Sequence, residues 1–242
     1  MSAQVGFLVW DSNFFGLKTG RVGCQGGKDA SLALAEARRK SYKLVYAFSQ
    51  ERLGQALLDE FSGIDVDGQV THSKSAHDCE LLKKREHAMD DFFQIFDTSP
   101  ALQELALYSG IFSRFRLDAN LPPGSFERMY EKWLLNSLRD TKNSCVYVKG
   151  STLEPLGLVT ASWESDSCNI GLLAVHPTFQ GQGIGNGLLQ LIEEESSKRG
   201  ATSIGVTTQL SNHNARKLYE KRGYEERKIR YISHFHWEDS GE

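Results

Sequence analysis

The chain of 242 residues has little cysteine, no long apolar run and no surplus of basic charge, and each lack removes a class of protein. Its four cysteines, Cys24, Cys79, Cys145 and Cys168, are far apart and form no C-x-x-C pair. Neither a zinc site nor a disulfide framework is expected, and all four are read as buried free thiols. No stretch approaches the roughly 18 apolar residues of a membrane span, and the first 30 residues lack the basic start and apolar run of a signal peptide. The expectation is a soluble, cytoplasmic chain with no membrane partner. Twenty-eight Lys and Arg against 31 Asp and Glu leave a net charge of −3, without the basic surplus that duplex nucleic acid demands. No nucleic acid partner is expected. The remainder is ordinary for a globular chain, with 40% hydrophobic and 24% charged residues, enough to build a core. At about 150 residues per domain, the length falls between one domain and two.

Apolar positions at helical spacing (Phe126, Met129, Tyr130, Trp133, Leu134 and Leu138) predict a helix over 125–139, after Pro122-Pro123-Gly124. Ser99-Pro100 supplies a cap and a first-turn proline for an earlier helix, which turns Leu102, Leu105 and Ala106 inward and ends near Ser109-Gly110. Short apolar runs at 145–148, 156–163 and 169–175 predict an antiparallel meander, with Gly150 and Asp166-Ser167 at its turns. From residue 180 the pattern becomes glycine loop, helix 186–199, strand 203–208, helix 212–222 and a last strand over 229–237. The fold class is therefore α/β with a mixed sheet.

The first 75 residues repeat that late order in weaker form: helix-like 30–40, strand-like 43–48, helix-like 51–61 and a polar strand over 69–74. Adding 160 aligns Leu44 with Ile204, Tyr46 with Val206, Leu58 with Leu218, Gly63 with Gly223 and Ile64 with Tyr224, without a gap. This is either a degenerate half-repeat or the chance likeness of any two helix-turn-strand pairs. The chemistry-bearing positions do not repeat, because Asp59 stands where 219 is Tyr and Arg52 where 212 is Asn. At most one active site is expected, in residues 76–242, with residues 1–75 as a partial copy.

The most informative segment is Leu172-Leu173-Ala174-Val175-His176-Pro177, a strand stopped by proline, followed by Gln180-Gly181-Gln182-Gly183-Ile184-Gly185-Asn186 at the start of a helix. Alternate glycines let the backbone turn and approach a ligand, and free amides at a helix start favour an anion. A Walker loop needs Lys-Ser/Thr after its last glycine, and Asn186-Gly187 stands there instead. A dinucleotide loop needs G-x-G-x-x-G and an acid ending the next strand, and neither is present. Coenzyme A is the third reading. Here the sequence resembles the GCN5-related N-acetyltransferase (GNAT) superfamily, whose acetyl-coenzyme-A signature Gln180-x-x-Gly183-x-Gly185 matches. Its late helix is matched by Asn212-x-x-Ala215-x-x-Leu218-Tyr219-Glu220-Lys221-x-Gly223-Tyr224.

Two further stretches, Trp10-Asp11-Ser12-Asn13-Phe14-Phe15-Gly16 and Ser113-Arg114-Phe115-Arg116, are similar to a bacterial group within that superfamily, the dTDP-fucosamine acetyltransferases. The resemblance implies a GNAT acyl-CoA N-acyltransferase fold with an N-terminal partial GNAT-like α/β domain. It also implies acetyl-CoA as cosubstrate without a metal, and a dTDP-linked 4-amino-4,6-dideoxy sugar as acceptor. Leu173, Ala174 and Val175 would leave amides free by splaying from strand 203–208, and Gln180, Gly181, Gln182, Gly183, Ile184, Gly185 and Asn186 would grip the pyrophosphate. Asn212 would hold the pantetheine arm. Tyr219 would be the general acid, against the alternative of a core tyrosine, with Leu218 serving the core while Tyr219 faces the cleft. Arg114 and Arg116 would pair with the acceptor's diphosphate and Phe115 would stack on a ring, against the alternative of solvated arginines beside a core phenylalanine. No general base is visible: Glu164, Asp166 and His176 lie near in sequence, and a water chain would serve as well. His234 and His236 should share one face of the last strand, as a metal pair lacking a third ligand or in structural or substrate-lining roles. Lys83-Lys84-Arg85 reads as a strand end. The other functions left open are acetylation of a peptide or small amine and non-catalytic sensing of coenzyme A. Oligomeric state is not legible, a homodimer being one expectation.

Overall fold

The computed structural model describes residues 4–76 and 92–238. The expected basic strand end at 83–85, and Cys79, lie outside them. Among the described residues, ten strands form one mixed sheet. In chain order they are β1 (Val5–Phe7), β2 (Thr19–Cys24), β3 (Leu44–Ser49), β4 (Gly63–Ser75), β5 (Phe92–Gln94), β6 (Ser144–Gly150), β7 (Pro155–Glu164), β8 (Ser167–Val175), β9 (Ser203–Gln209) and β10 (Glu225–His236). Across the sheet the order is β1-β2-β3-β10-β4-β9-β8-β7-β6-β5.

Eight helices flank it: α1 (Val9–Phe15), α2 (Gly27–Arg39), α3 (Gln55–Phe61), α4 (Pro100–Ser109), α5 (Arg114–Leu117), α6 (Ser125–Arg139), α7 (Ile184–Lys198) and α8 (His213–Lys221). Side chains of Tyr46, Phe48, Ile232, Val146, Leu158 and Leu172 meet α1 and α4–α6 on one face. Residues alternate with these, such as Val45 and Ala47 under α2 and α3 and Cys145 and Val159 under α7 and α8, so those four helices cover the other face.

α4 and α6 occupy the ranges their sequence pattern predicts, and the Ser99 hydroxyl accepts from Leu102 N as an N-cap. The meander β6–β8 is antiparallel throughout. Cys145 and Cys168 are buried free thiols and Cys24 is partly buried.

Three elements run differently from expectation. β4 begins at Gly63, not 69, and β10 begins at Glu225, not 229. The early residues of β10, Glu225 to Lys228, are exposed and polar and carry no apolar signal. α3 starts only at Gln55. The short elements β1, α1, β2, β5 and α5 were not anticipated: α1 has seven residues and no side-chain cap, and α5 is a single turn behind the Ser113 cap.

The central pairing decides how the two ends of the chain relate. β10 pairs antiparallel with both β3 and β4, and β4 pairs antiparallel with β9. Each of the units β3-α3-β4 and β9-α8-β10 thus places its last strand against the first strand of the other. An extra residue stands in β10 at Arg227, between the pairs Glu226↔His72 and Lys228↔Thr71. Another stands in β4 between Asp65 and Gly68, opposite Ser233 and Tyr231. Asp67, inside that second bulge with φ 95°, precedes Arg227 by 160 positions. The ion cluster of Lys74 (β4), Glu193 (α7) and Arg222 crosses this junction in the interior, with Lys74 Nζ 3.3 Å from Glu193 Oε1 and 2.8 Å from the Arg222 carbonyl.

Candidate active site

The cleft begins at a bulge. Between the pairs Val159↔Leu173 and Ala161↔Ile170, β8 carries one residue more than β7, which bends it. The Thr160 hydroxyl fills the gap by accepting from Leu172 N at 2.9 Å. A Cβ on Gly171 would lie 2.8 Å from that hydroxyl, so the bend needs glycine there. β8 is paired with β9 only from Ser167 to Ile170, and beyond that the two strands part. A cavity of about 1770 Å³ opens at the fork and extends past α8 to α5 and α6. On its β9 side, Leu173–Val175 have no strand partner among the described residues.

At the end of β8, His176 N donates to the Leu156 carbonyl, and one 3₁₀ turn (Pro177–Phe179) leads into the loop. Gln180 Nε2 donates to the Val175 carbonyl at 3.3 Å, tying the loop to the strand. Gly181 and Gly183 adopt φ of 78° and 82°, values that side-chain-bearing residues rarely hold. A Cβ on Gly185 would come within 3.2 Å of Leu218. α7, a 15-residue helix, then starts on Gly183 without a side-chain cap. Of the residues named from sequence for the cosubstrate, Leu173–Val175, Gln180, Gly181, Gly183–Asn186 and Asn212 border the cavity, and Gln182 does not.

Asn212 caps α8, its Oδ1 accepting from Ala215 N at 3.2 Å while Nδ2 donates to Thr208 Oγ1. That leaves the second amide hydrogen for the cleft. Tyr219 borders the cleft but is only 4% exposed, against Leu218, which is partly exposed and borders it too. The division of roles expected for this pair is therefore partly reversed. Burial pushes the Tyr219 phenol far above its ordinary pKa, so the proton is in place at neutral pH. The ring lies 5.5 Å from that of His72, a β4 residue that the sequence did not single out. His72 is fully buried, and neither ring nitrogen has a hydrogen-bond partner among the described residues.

At the end of the cleft away from the glycine loop, Arg114 and Arg116 do not converge. Arg114 borders the cleft, its guanidinium carbon 4.0 Å from the Tyr46 ring centroid and 4.2 Å from that of Phe115. Arg116 is exposed and lies over Phe126 beside a separate, smaller groove. Phe115 is buried against Phe15, Tyr46 and Trp133 while one edge borders the cleft.

His234 and His236 do share a face, and the third group absent from the sequence reading is Asp118. One of its oxygens lies 2.6 Å from His234 Nδ1 and 2.8 Å from His236 Nε2. His234 Nε2 lies 3.0 Å from Arg114 Nη1. Arginine can only donate, so Nε2 must accept and the single proton of a neutral imidazole sits on Nδ1, given to Asp118. Burial pulls the His234 pKa down to about 4, consistent with that neutral form. Burial alone would raise the Asp118 carboxyl, but hydrogen bonds from both histidines hold it well below the usual range. These three residues could hold a metal by spacing, as could His72, Glu220 and Glu226. The chain Asp118–His234–Arg114, however, uses every donor and acceptor of the His234 ring.

None of the acids near β8 in sequence approaches the fork. Glu164 and Asp166 sit at the β7–β8 hairpin, seven residues or about 20 Å of strand from Leu173, where Asp166 binds Thr202. His176 Nδ1 accepts from Thr178 N. No helix among the described residues is long and apolar enough to cross a membrane.

The Acetyltransferase (GNAT) family profile matches residues 108–224. The dTDP-fucosamine acetyltransferase of Escherichia coli O6:H1 is 31% identical over 225 residues, covering 91% of this chain and 93% of that one. The chain belongs to the GNAT acetyltransferase family. It is also similar to the spore coat polysaccharide biosynthesis protein SpsD of Bacillus subtilis, at 28% identity over 147 residues. That match takes in 59% of this chain, which spans about half the length of SpsD. The GNAT fold recurs in a solved GCN5-related N-acetyltransferase from Sphaerobacter thermophilus, with a TM-score of 0.58 at 14% identity over 97% of this chain and 76% of that one. Membership of the GNAT family makes the chain an N-acyltransferase. The matched GNAT stretch runs from α4 through the forked strands and the glycine loop to Tyr224, the walls of the cleft described above.

Proposed function

We propose that this N-acyltransferase carries an acetyl group from acetyl-CoA to the amino group of a nucleotide-linked (dTDP) 4-amino-4,6-dideoxy sugar, by direct transfer. The observation that carries the reading is one continuous cavity with different chemistry at its two ends. The fork offers main-chain amides of β8 on its parted side, the glycine loop leads into a helix start suited to a pyrophosphate, and Arg114 waits at the other end. Its volume, about 1770 Å³, exceeds what a single drug-sized ligand fills.

The cosubstrate supplies an activated acetyl group as a thioester. Gln180–Asn186 and the start of α7 hold its phosphates, and the second Asn212 amide hydrogen meets its arm. The amides of Leu173 and Val175, which alternate with the β7-bonded Ala174 and face the parted side, polarise the thioester carbonyl and stabilise the charge that develops there. Tyr219, buried and protonated, gives its proton to the departing sulfur. The acceptor's ammonium loses its proton to water, because no carboxylate or imidazole of the β8 region reaches the fork. Arg114 and Phe115 hold the acceptor, and the exposed position of Arg116 makes it a secondary contact. Residues 1–75 are an inactive partial copy that completes the fold and supports the acceptor end.

The names of the two relatives, one acting on dTDP-fucosamine and one in spore coat polysaccharide synthesis, support a sugar acceptor. The test follows thiol release from acetyl-CoA against dTDP-linked 4-amino and 3-amino sugars, with peptide amines as controls. Turnover is expected on the 4-amino sugars. Turnover on peptides alone would overturn the acceptor assignment.

A further inference from the structure

Arg114 is not alone at the acceptor end. Arg21 on β2 pairs in register with Tyr46 and so shares its face of the sheet. Its guanidinium carbon lies 4.4 Å from the Phe48 ring centroid, and that of Arg114 lies 5.6 Å from the same centroid. The two cations are therefore within about 10 Å of each other. Arg230 on β10 stands two residues before Ile232, which pairs with Phe48 and borders the cleft, so Arg230 occupies the next position along that face. Three elements from both ends of the chain thus bring three arginines around one aromatic patch, Tyr46 and Phe48.

Charge compensation is scarce there. Among the described residues, neither Arg21 nor Arg230 has a carboxylate within 4.0 Å, whereas Arg52, Arg199, Arg216, Arg222 and Arg227 each have one. Burial and the nearby Arg230 both pull the Arg21 pKa down, with no acid opposing them. Asp11, from the Trp10–Gly16 segment, acts on Arg114, and burial raises its own pKa. Two carboxylates, Asp11 and, behind the neutral His234, Asp118, stand against three guanidinium groups and still leave a positive surplus. Gathering like charges on a half-buried face is unfavourable unless an anion bridges them, and guanidinium forks match phosphate oxygens in pairs.

We propose that Arg21, Arg114 and Arg230 form a cradle for the diphosphate of a nucleoside-diphosphate acceptor, with Phe48 and Tyr46 as its floor. This rests on the nucleotide-sugar reading above and adds two residues to it, one of them from the N-terminal segment. Arg114 lines the cavity and Arg21 and Arg230 extend from it beyond Ile232, away from the glycine loop, so the cradle serves the acceptor and not the coenzyme.

Calorimetric titration of the full chain with dTDP, thymidine and coenzyme A tests this. The unaltered protein should bind dTDP at least about 10-fold more tightly than thymidine, because only the former carries the anion. Arg21→Ala and Arg230→Ala should each weaken dTDP binding about 10-fold, and the pair together more, with coenzyme A affinity held within about twofold. Arg21→Lys should recover part of the loss, since charge returns without the fork. Thermal melting of each variant checks that it is folded, and Arg230→Gln serves if Arg230→Ala is not. Unaltered dTDP binding in the double variant overturns the cradle while leaving the nucleotide-sugar reading standing. Equal losses for dTDP and coenzyme A assign the arginines to the coenzyme's phosphates and also overturn it. Failure of the unaltered protein to bind dTDP overturns both.

Discussion

The units β3-α3-β4 and β9-α8-β10 have the same order and lie side by side in one sheet, yet only the second brings its helix, with Asn212 and Tyr219, to the cleft. Asn212 caps α8 and borders the cleft, while Arg52, 160 positions earlier, is paired with Asp65. Tyr219 is buried against His72, while Asp59 is exposed and its carboxylate accepts from Gln55. What both units retain is the exchange of last strands: β10 lies against β3 and β4 against β9. Interleaving of this kind makes the first unit part of the wall of the second one's cleft, since Val66, Gly68 and Gln69 of β4 border the same cavity as Tyr219.

The largest expected effect breaks the comparison outright. Residues 76–242 expressed without 1–75 would lack β4, leaving β9 and β10 without their shared neighbour and Glu193 without Lys74. Losing one partner of a buried ion cluster alone costs about 3–5 kcal/mol, comparable to the whole stability of many domains. The fragment should show no cooperative thermal transition by circular dichroism. A cooperative melt with retained transferase activity would mean that the two regions are independent domains.

A smaller effect separates the units chemically. Tyr219→Phe should lower kcat by about 10²–10⁴ while coenzyme A binding stays within about twofold, as expected for loss of a general acid. Asp59→Asn, at the aligned position, should change neither quantity. Equal kcat for Tyr219→Phe and the unaltered chain would reduce Tyr219 to a core residue, the role its 4% exposure would otherwise suggest.

Legibility in the sequence followed the strength of local signals. α6 could be placed to the residue because its apolar face repeats over 15 residues, and α4 because Ser99-Pro100 is a self-contained start signal. The glycine loop was legible because positive φ at 181 and 183 leaves glycine as the comfortable choice. What depended on contacts between distant residues was not. Asp118 joins histidines 116 and 118 positions away, and no spacing rule connects them. Arg21 and Arg230 look like ordinary surface charges until the β2-β3-β10 register sets them on one face. His72 lies in the polar strand expected over 69–74, but its neighbour Tyr219 comes from the other unit. The separation of Arg114 from Arg116 follows from one helical turn, α5, too short to signal itself.

The finest comparison concerns the two aligned buried positions Lys74 and His234, each facing an acid. Glu193 is held by lysine and arginine, whereas Asp118 is held by two imidazoles. His234 has a folded pKa of about 4 because it is buried, against roughly 6.5 in an unfolded chain. Between those values the unfolded chain takes up a proton that the folded one refuses. Stability should therefore fall as pH drops from about 6.5 to 4, by up to about 1.4 kcal/mol per unit from this group. Below about 4 both states are protonated and the contribution levels off. Urea midpoints of the unaltered chain and of His234→Gln, measured at pH 7, 6 and 5, isolate it from the other six histidines. The variant should start less stable and lose less on acidification, so the two curves converge. Parallel curves would mean that the β3–β10 seam does not sense pH and that His234 is charged in the folded protein, with Arg114 turned away from it.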